Sequence, residues 1–129
     1  MKETVMIFNP PARDRLLKIE MALFPAKVRM LRFEAKDYEQ TLGTLAGLGD
    51  VERAPADESP EPASKLSDTM LVFAFIDDHK LEQILGSLRR SGTGPLPYKA
   101  ILTPTNQHWT PLQCFSEIRQ EHEAMNESR

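Results

Sequence analysis

The stretch TMLVFAFIDDHKLEQILGSLRR, residues 69–90, decides the fold class. Its first eight residues, Thr69 to Ile76, form an unbroken run of apolar and β-forming side chains. Such a run marks a strand buried on both faces. Asp77-Asp78 ends it. Leu81, Ile84, Leu85 and Leu88 then recur at i, i+3, i+4 and i+7, the spacing of one helix face. A strand buried on both sides and followed by an amphipathic helix points to an α/β architecture.

The pattern extends in both directions. Ser91–Pro97 reads as a loop, Tyr98–Thr103 as a last strand, and Thr110 to about Asn126 as a last helix. Upstream, Val5–Phe8 is a short strand stopped by Asn9-Pro10-Pro11, because proline cannot donate to a ladder. Ala12–Phe24 reads as helix. Leu16, Ile19 and Leu23 share a face with Leu17, Met21 and Phe24 beside it, a wide stripe that predicts deep burial. Lys27–Phe33 alternates impurely and is assigned as a strand. A second helix is expected from Asp37, with Gln40 at the capping-box position and Gly47 or Gly49 as the stop.

Residues 50–68, DVERAPADESPEPASKLSD, change character. Six acids stand against Arg53 and Lys65, a net of −4, among prolines, alanines and serines. This composition predicts a mobile acidic linker. The order is therefore β-α-β-α, linker, β-α-β-α. The expected fold is one α/β domain over residues 1–129. Two β-α-β-α halves share one mostly parallel four-stranded sheet with helices packed on it. Spacing is alike in the halves (Leu16, Ile19, Leu23 and Leu81, Ile84, Leu88), which fits either a duplication or the repetitiveness common to α/β chains.

Composition narrows the function classes. The 129 residues are 40% hydrophobic and 27% charged, with a formal charge of −3. That size supports a core without staples. The charge gives no electrostatic case for nucleic acid or an anionic membrane. Cys114 is the single cysteine, which suits a reducing compartment. No apolar run approaches the ~18 residues of a membrane span. The expectation is a cytoplasmic protein.

The loop LTPTNQHWTPLQCF, residues 102–115, holds the densest polar cluster. Thr110, Pro111 and Gln113 supply an N-cap, a first-turn proline and a capping-box partner, while Trp109 and Cys114 suit a hydrophobic staple. Thr103, Thr105, Asn106 and His108 then either close local turns or orient a ligand beyond the strand ends. Asp77 and Asp78 either hold a divalent cation or serve the next helix, with Asp78 as cap. An all-parallel sheet brings Asn9, Asp77, Asp78 and the 103–108 loop to one edge; antiparallel halves split them. No Walker, Rossmann, zinc or triad pattern occurs, so no catalytic residue, cofactor or metal ligand is assigned. Cys114 reads as a small packed residue rather than a nucleophile.

The run KAILTPTNQHWTPLQCFSEIRQEH, residues 99–122, carries a T-P-T-N-x-x-W-T loop at Thr103, Pro104, Thr105, Asn106, Trp109 and Thr110. With DDHKLEQILGSLR at 77–89, it resembles a bacterial family, domain of unknown function 3783, over roughly residues 69–122. DYEQTLGTLAGL in the first half has a vaguer likeness. The resemblance implies a bacterial source and no established activity. Two functions stay open. One is a non-catalytic binding or regulatory module acting through a protein partner or self-association, at a sheet edge or Trp109. The other is a small-ligand or cation-dependent site, conceivably enzymatic, built from Asp77, Asp78, Thr103, Thr105, Asn106, His108 and Trp109.

Overall fold

A computed structural model describes residues 2–127. Four strands, β1 (Thr4–Phe8), β2 (Arg29–Phe33), β3 (Met70–Ala74) and β4 (Tyr98–Ile101), form one sheet in the order β2-β1-β3-β4. Four α-helices pack on it: α1 (Arg13–Leu23), α2 (Leu42–Ala46), α3 (Asp78–Arg90) and α4 (Pro111–Glu127). The element order is the one the sequence predicts.

β1 and β3 occupy the centre, which is why their sequences are apolar throughout. Val5, Ile7, Leu71 and Phe73 face Ile19 and Leu23 of α1 and Leu81, Ile84 and Leu88 of α3. Met6, Phe8, Met70 and Val72 face Leu42 of α2 and Cys114, Phe115 and Ile118 of α4. The edge strands alternate less cleanly because only part of each face is covered. Arg29 and Arg32 of β2 and Lys99 of β4 are exposed.

The sheet is mostly parallel and mixed. β1 pairs with β2 in parallel, β3 with β4 in parallel, and β1 with β3 antiparallel. Thr4 faces Ala74, Met6 faces Val72 and Phe8 faces Met70. The two halves therefore meet head to tail about the Met6–Val72 pair. The residue after each central strand, Asn9 and Phe75, has a positive φ, 52° and 63°. An aromatic residue in that left-handed region is strained.

Three details depart from the sequence reading. First, Asp37 does not start α2. It closes a 3₁₀ turn, Ala35–Asp37, and accepts from the Glu34 N–H at 3.0 Å. The helix begins after Thr41, whose Oγ1 accepts from Thr44 N at 3.3 Å and donates to the Val51 carbonyl at 2.8 Å. Both Asp37 and Thr41 are competent caps, and tertiary bonding selects Thr41. Second, the stripe of α1 is only half covered. Ile19 and Leu23 are buried, but Leu17, Met21 and Phe24 are 56%, 66% and 77% exposed. Third, residues 50–68 form no helix or strand, yet Ala63 and Leu66 are buried in the α2/α4 core. Ala63 N donates to the Leu112 carbonyl and Asn9 Nδ2 to the Leu66 carbonyl.

Candidate functional site

The loop after β4 is built around Asn106. Its Oδ1 accepts from Thr103 N at 2.8 Å, and its Nδ2 donates to the Ile101 carbonyl at 2.8 Å. Its backbone N–H donates to Thr103 Oγ1 at 3.0 Å. The buried amide thus joins the strand exit to the 3₁₀ turn Asn106–His108. Buried polar groups need such partners, and Asn106 finds them within its own loop. At the loop's end, Thr110 N donates to Gln113 Oε1 at 2.8 Å and Gln113 N to Thr110 Oγ1 at 3.4 Å. This is the capping box read from T-x-x-Q. Trp109 is half-buried and packs with Cys114 in one cluster.

The loop docks outward as well. Leu42 N donates to the Trp109 carbonyl at 2.8 Å, and Ala54 N to the His108 carbonyl at 3.0 Å. His108 Nδ1 donates to the Glu52 carbonyl at 2.9 Å. Since a carbonyl only accepts, the proton lies on Nδ1. Between these segments lies a cleft of about 400 Å³ lined by Glu52, Arg53, Glu58, Thr105, His108 and Trp109, among others. Thr103 and Thr105 are exposed, Asn106 is buried, and His108 and Trp109 are half-buried.

Asp77 and Asp78 do not join that cleft. Asp77, not Asp78, caps α3: its Oδ1 accepts from Lys80 N at 2.8 Å, while Asp78 sits in the first turn. Both leave the same sheet end as the 103–109 loop, because β3 and β4 are parallel. They then diverge, Asp77 and Asp78 into α3 on one face and the loop into α4 on the other. Asn9 lies at the opposite sheet end, since β1 runs against β3. Among the described residues, no group of three or more His, Cys, Asp or Glu is arranged to hold a metal ion. The joint site expected of a fully parallel sheet is therefore divided.

Cys114 is buried, and burial pushes its thiol up to about 12, with smaller contributions from Glu121 and Glu117. The reactive thiolate is thus suppressed at neutral pH.

Two features escaped the sequence reading. A cleft of about 650 Å³ opens at the carboxyl ends of β1 and β2, lined by Asn9, Pro10, Glu34, Tyr38, Lys65 and Leu112 among others. Ligands in parallel α/β sheets favour that location, and the Asn9-Pro10-Pro11 break was its signal. Burial raises the Tyr38 phenol above its ordinary value, against a lowering bond to the Asn9 backbone. The other is the outer face of α1. Leu17 and Met21 lie on it, and Phe24, the C-cap that opens the 3₁₀ turn Phe24–Ala26, continues the row at i+7, beside a groove of about 600 Å³ toward α3 that includes Ala22, Pro25, Ala26, Arg89 and Arg90.

Fold and sites define an α/β protein with a mixed four-stranded sheet and helices packed on both faces. Residues 69–125, from β3 into α4, match the model of a family described as Domain of unknown function (DUF3783). Comparison with curated proteins and with solved structures gives no match. No helix among the described residues is long and apolar enough to cross a membrane.

Proposed function

We propose that the chain is a non-catalytic protein-binding module of the cytoplasm that engages its partner through the outer face of α1. One observation carries this reading: Leu17, Met21 and Phe24 are large, apolar and more than half exposed on a helix whose inner face is core. Clustered exposed apolar side chains mark interaction surfaces, whereas scattered ones do not. The surfaces first suspected are weaker supports. Trp109 is half-buried in the core, and Arg29 and Arg32 guard the β2 edge against strand addition. The lone thiol of Cys114 supports a reducing compartment.

The test is site-specific photocrosslinking in cells, with a photoreactive residue at Met21 or, as control, at exposed Gln120 of α4. A discrete adduct at Met21 and none at Gln120 is the expected result. Equal labelling, or none at Met21, overturns the reading.

The cleft beside Thr105, His108 and Trp109 supports a second reading, a small-ligand site. Native mass spectrometry of gently purified protein tests it. A stoichiometric added mass, lost in Thr105→Ala, favours the ligand site; the bare 14.6 kDa chain or its multiple favours the module.

A further inference from the structure

The α1 stripe runs from Leu17 to Phe24, seven steps along the chain, or roughly 10 Å at 1.5 Å per residue. That length suits about two turns of a partner helix lying along it. Helical recognition of this kind is read from anchors at i, i+3 or i+4, and i+7.

Charge narrows the partner. Residues 13–27 hold four cations (Arg13, Arg15, Lys18 and Lys27) against Asp14 and Glu20, a net of +2. The chain as a whole stands at −3, so everything outside this segment sums to −5. Segment 13–27 is thus basic within an acidic chain, although residues 50–68 supply −4 of that outside charge. Arg13, Lys18 and Lys27 are exposed. Arg15 is held against the carbonyls of Thr93 and Pro95, on the side of α1 turned away from Leu17. At the other end, Arg89 and Arg90 border the groove beside Pro25 and Ala26, opposed there by Glu82. Gly86 lets the Arg90 guanidinium lie close over α3, 3.1 Å from where a Cβ would stand.

We infer that the α1 face receives an acidic amphipathic helix of another protein. Its apolar side chains would lie along Leu17, Met21 and Phe24, and its carboxylates among the α1 cations and Arg89–Arg90. This inference rests on the protein-binding reading above. A second copy of the chain fits less well. Among the described residues, its exposed large apolar side chains are the same three plus Ile101. Two-fold pairing of the stripes would set one basic rim against another. Acidic flanks on the partner remove that conflict and speed the encounter.

The test is selection of helical peptides from an unbiased displayed library, using the full chain as bait. Counter-selection uses the Leu17→Ser/Met21→Ser/Phe24→Ser variant, whose fold is verified by circular dichroism. Enriched peptides should carry apolar residues at helical spacing and net negative charge. Their affinity should fall roughly tenfold or more in the triple-serine variant and in Arg13→Glu/Lys18→Glu/Lys27→Glu, and weaken as salt rises. Stripe-dependent peptides that are neutral or basic would keep the binding module and overturn the acidic partner. An absence of stripe-dependent peptides would overturn both. A concentration-dependent dimer of the wild type, abolished by the triple-serine change, would assign the face to a second copy instead. Stripe-dependent binding to phosphatidylserine vesicles without peptide binding would assign it to a lipid surface.

Discussion

The backbone N–H of Leu42 donates to the carbonyl of Trp109 at 2.8 Å, so the first residue of α2 is bonded to the residue just before the cap of α4. The reciprocal bond cannot form, because the first residue of α4 is Pro111 and has no N–H. Gly43, next in α2, makes the close approach feasible. A Cβ there would stand 2.8 Å from Val51 Cγ2 and 3.1 Å from the Gln107 carbonyl. Two segments over 60 residues apart in sequence thus meet at a joint with no spare volume.

Gly43→Ala should therefore destabilise the protein by about 1–2 kcal/mol, the overpacking cost exceeding the gain in helix propensity. Gly86→Ala, also buried in a helix, meets only the flexible end of Arg90 and should be neutral or stabilising by up to ~1 kcal/mol. Urea unfolding of both variants checks the contrast. Equal midpoints for the two would show that the α2 joint is loose.

Asn106→Ala should cost about 2–3 kcal/mol, because Thr103 N and the Ile101 carbonyl both lose their partner. Exposed Thr105→Ala should stay within about 0.5 kcal/mol of wild type. Thermal unfolding measures both. An Asn106→Ala protein of normal stability would mean that the amide does not hold the loop.

Asp77→Ala should cost about 1 kcal/mol through loss of the α3 cap, and Asp77→Asn should recover most of it. Ala12, at the matching position before α1, makes no side-chain cap bond, so Ala12→Ser should gain up to ~1 kcal/mol. A cation-binding role for Asp77 predicts something else: magnesium would raise the melting temperature of the wild type, and Asp77→Asn would lose that rise.

The Cys114 thiol should resist alkylation in the folded protein at pH 8 and react once unfolded in urea. Its pKa rises on folding from 9.0 to about 12. Its contribution to stability is whole below pH 9 and is lost as pH climbs from 9 toward 12, because only the unfolded chain ionises in that window. The slope approaches 1.4 kcal/mol per pH unit. Tyr38, also raised, acts in the same sense above its ordinary 10.0. Cys114→Ala should reduce the alkaline slope measured by denaturation at successive pH values. An unchanged slope would count against the buried thiol as its source.

The parts of the fold legible in sequence are those whose environment is uniform. Val5–Phe8 and Thr69–Ile76 are apolar throughout because both faces are covered, and the α3 spacing is regular because one face is. The direction in which β1 meets β3 was not legible, since a strand buried on both sides carries no mark of its neighbour's polarity. That direction placed Asn9 at the opposite sheet end from Asp77. The start of α2 was not legible because Asp37 and Thr41 are comparable caps, and the Trp109 contact that decides between them lies far along the chain. At the loop, T-x-x-Q announced the Thr110–Gln113 box. The partners of Asn106 depended on how the strand exits. The pattern of α1 showed apolar residues but not whether anything covers them.

The antiparallel seam also bears on how the chain reaches this state. β1 meets β2 at a separation of 25 residues (Thr4 and Arg29), and β3 meets β4 at 28 (Met70 and Tyr98). The seam joins residues 62 to 70 apart, Phe8 with Met70 and Thr4 with Ala74. Closing that larger loop costs roughly 0.9 kcal/mol more in chain entropy than closing either crossover. Each half thus has a local nucleus, and the contacts that unite the halves are the slow, high-contact-order ones. Because closure entropy grows only with the logarithm of length, insertions within 55–60 should slow that union slightly and leave its strength nearly unchanged.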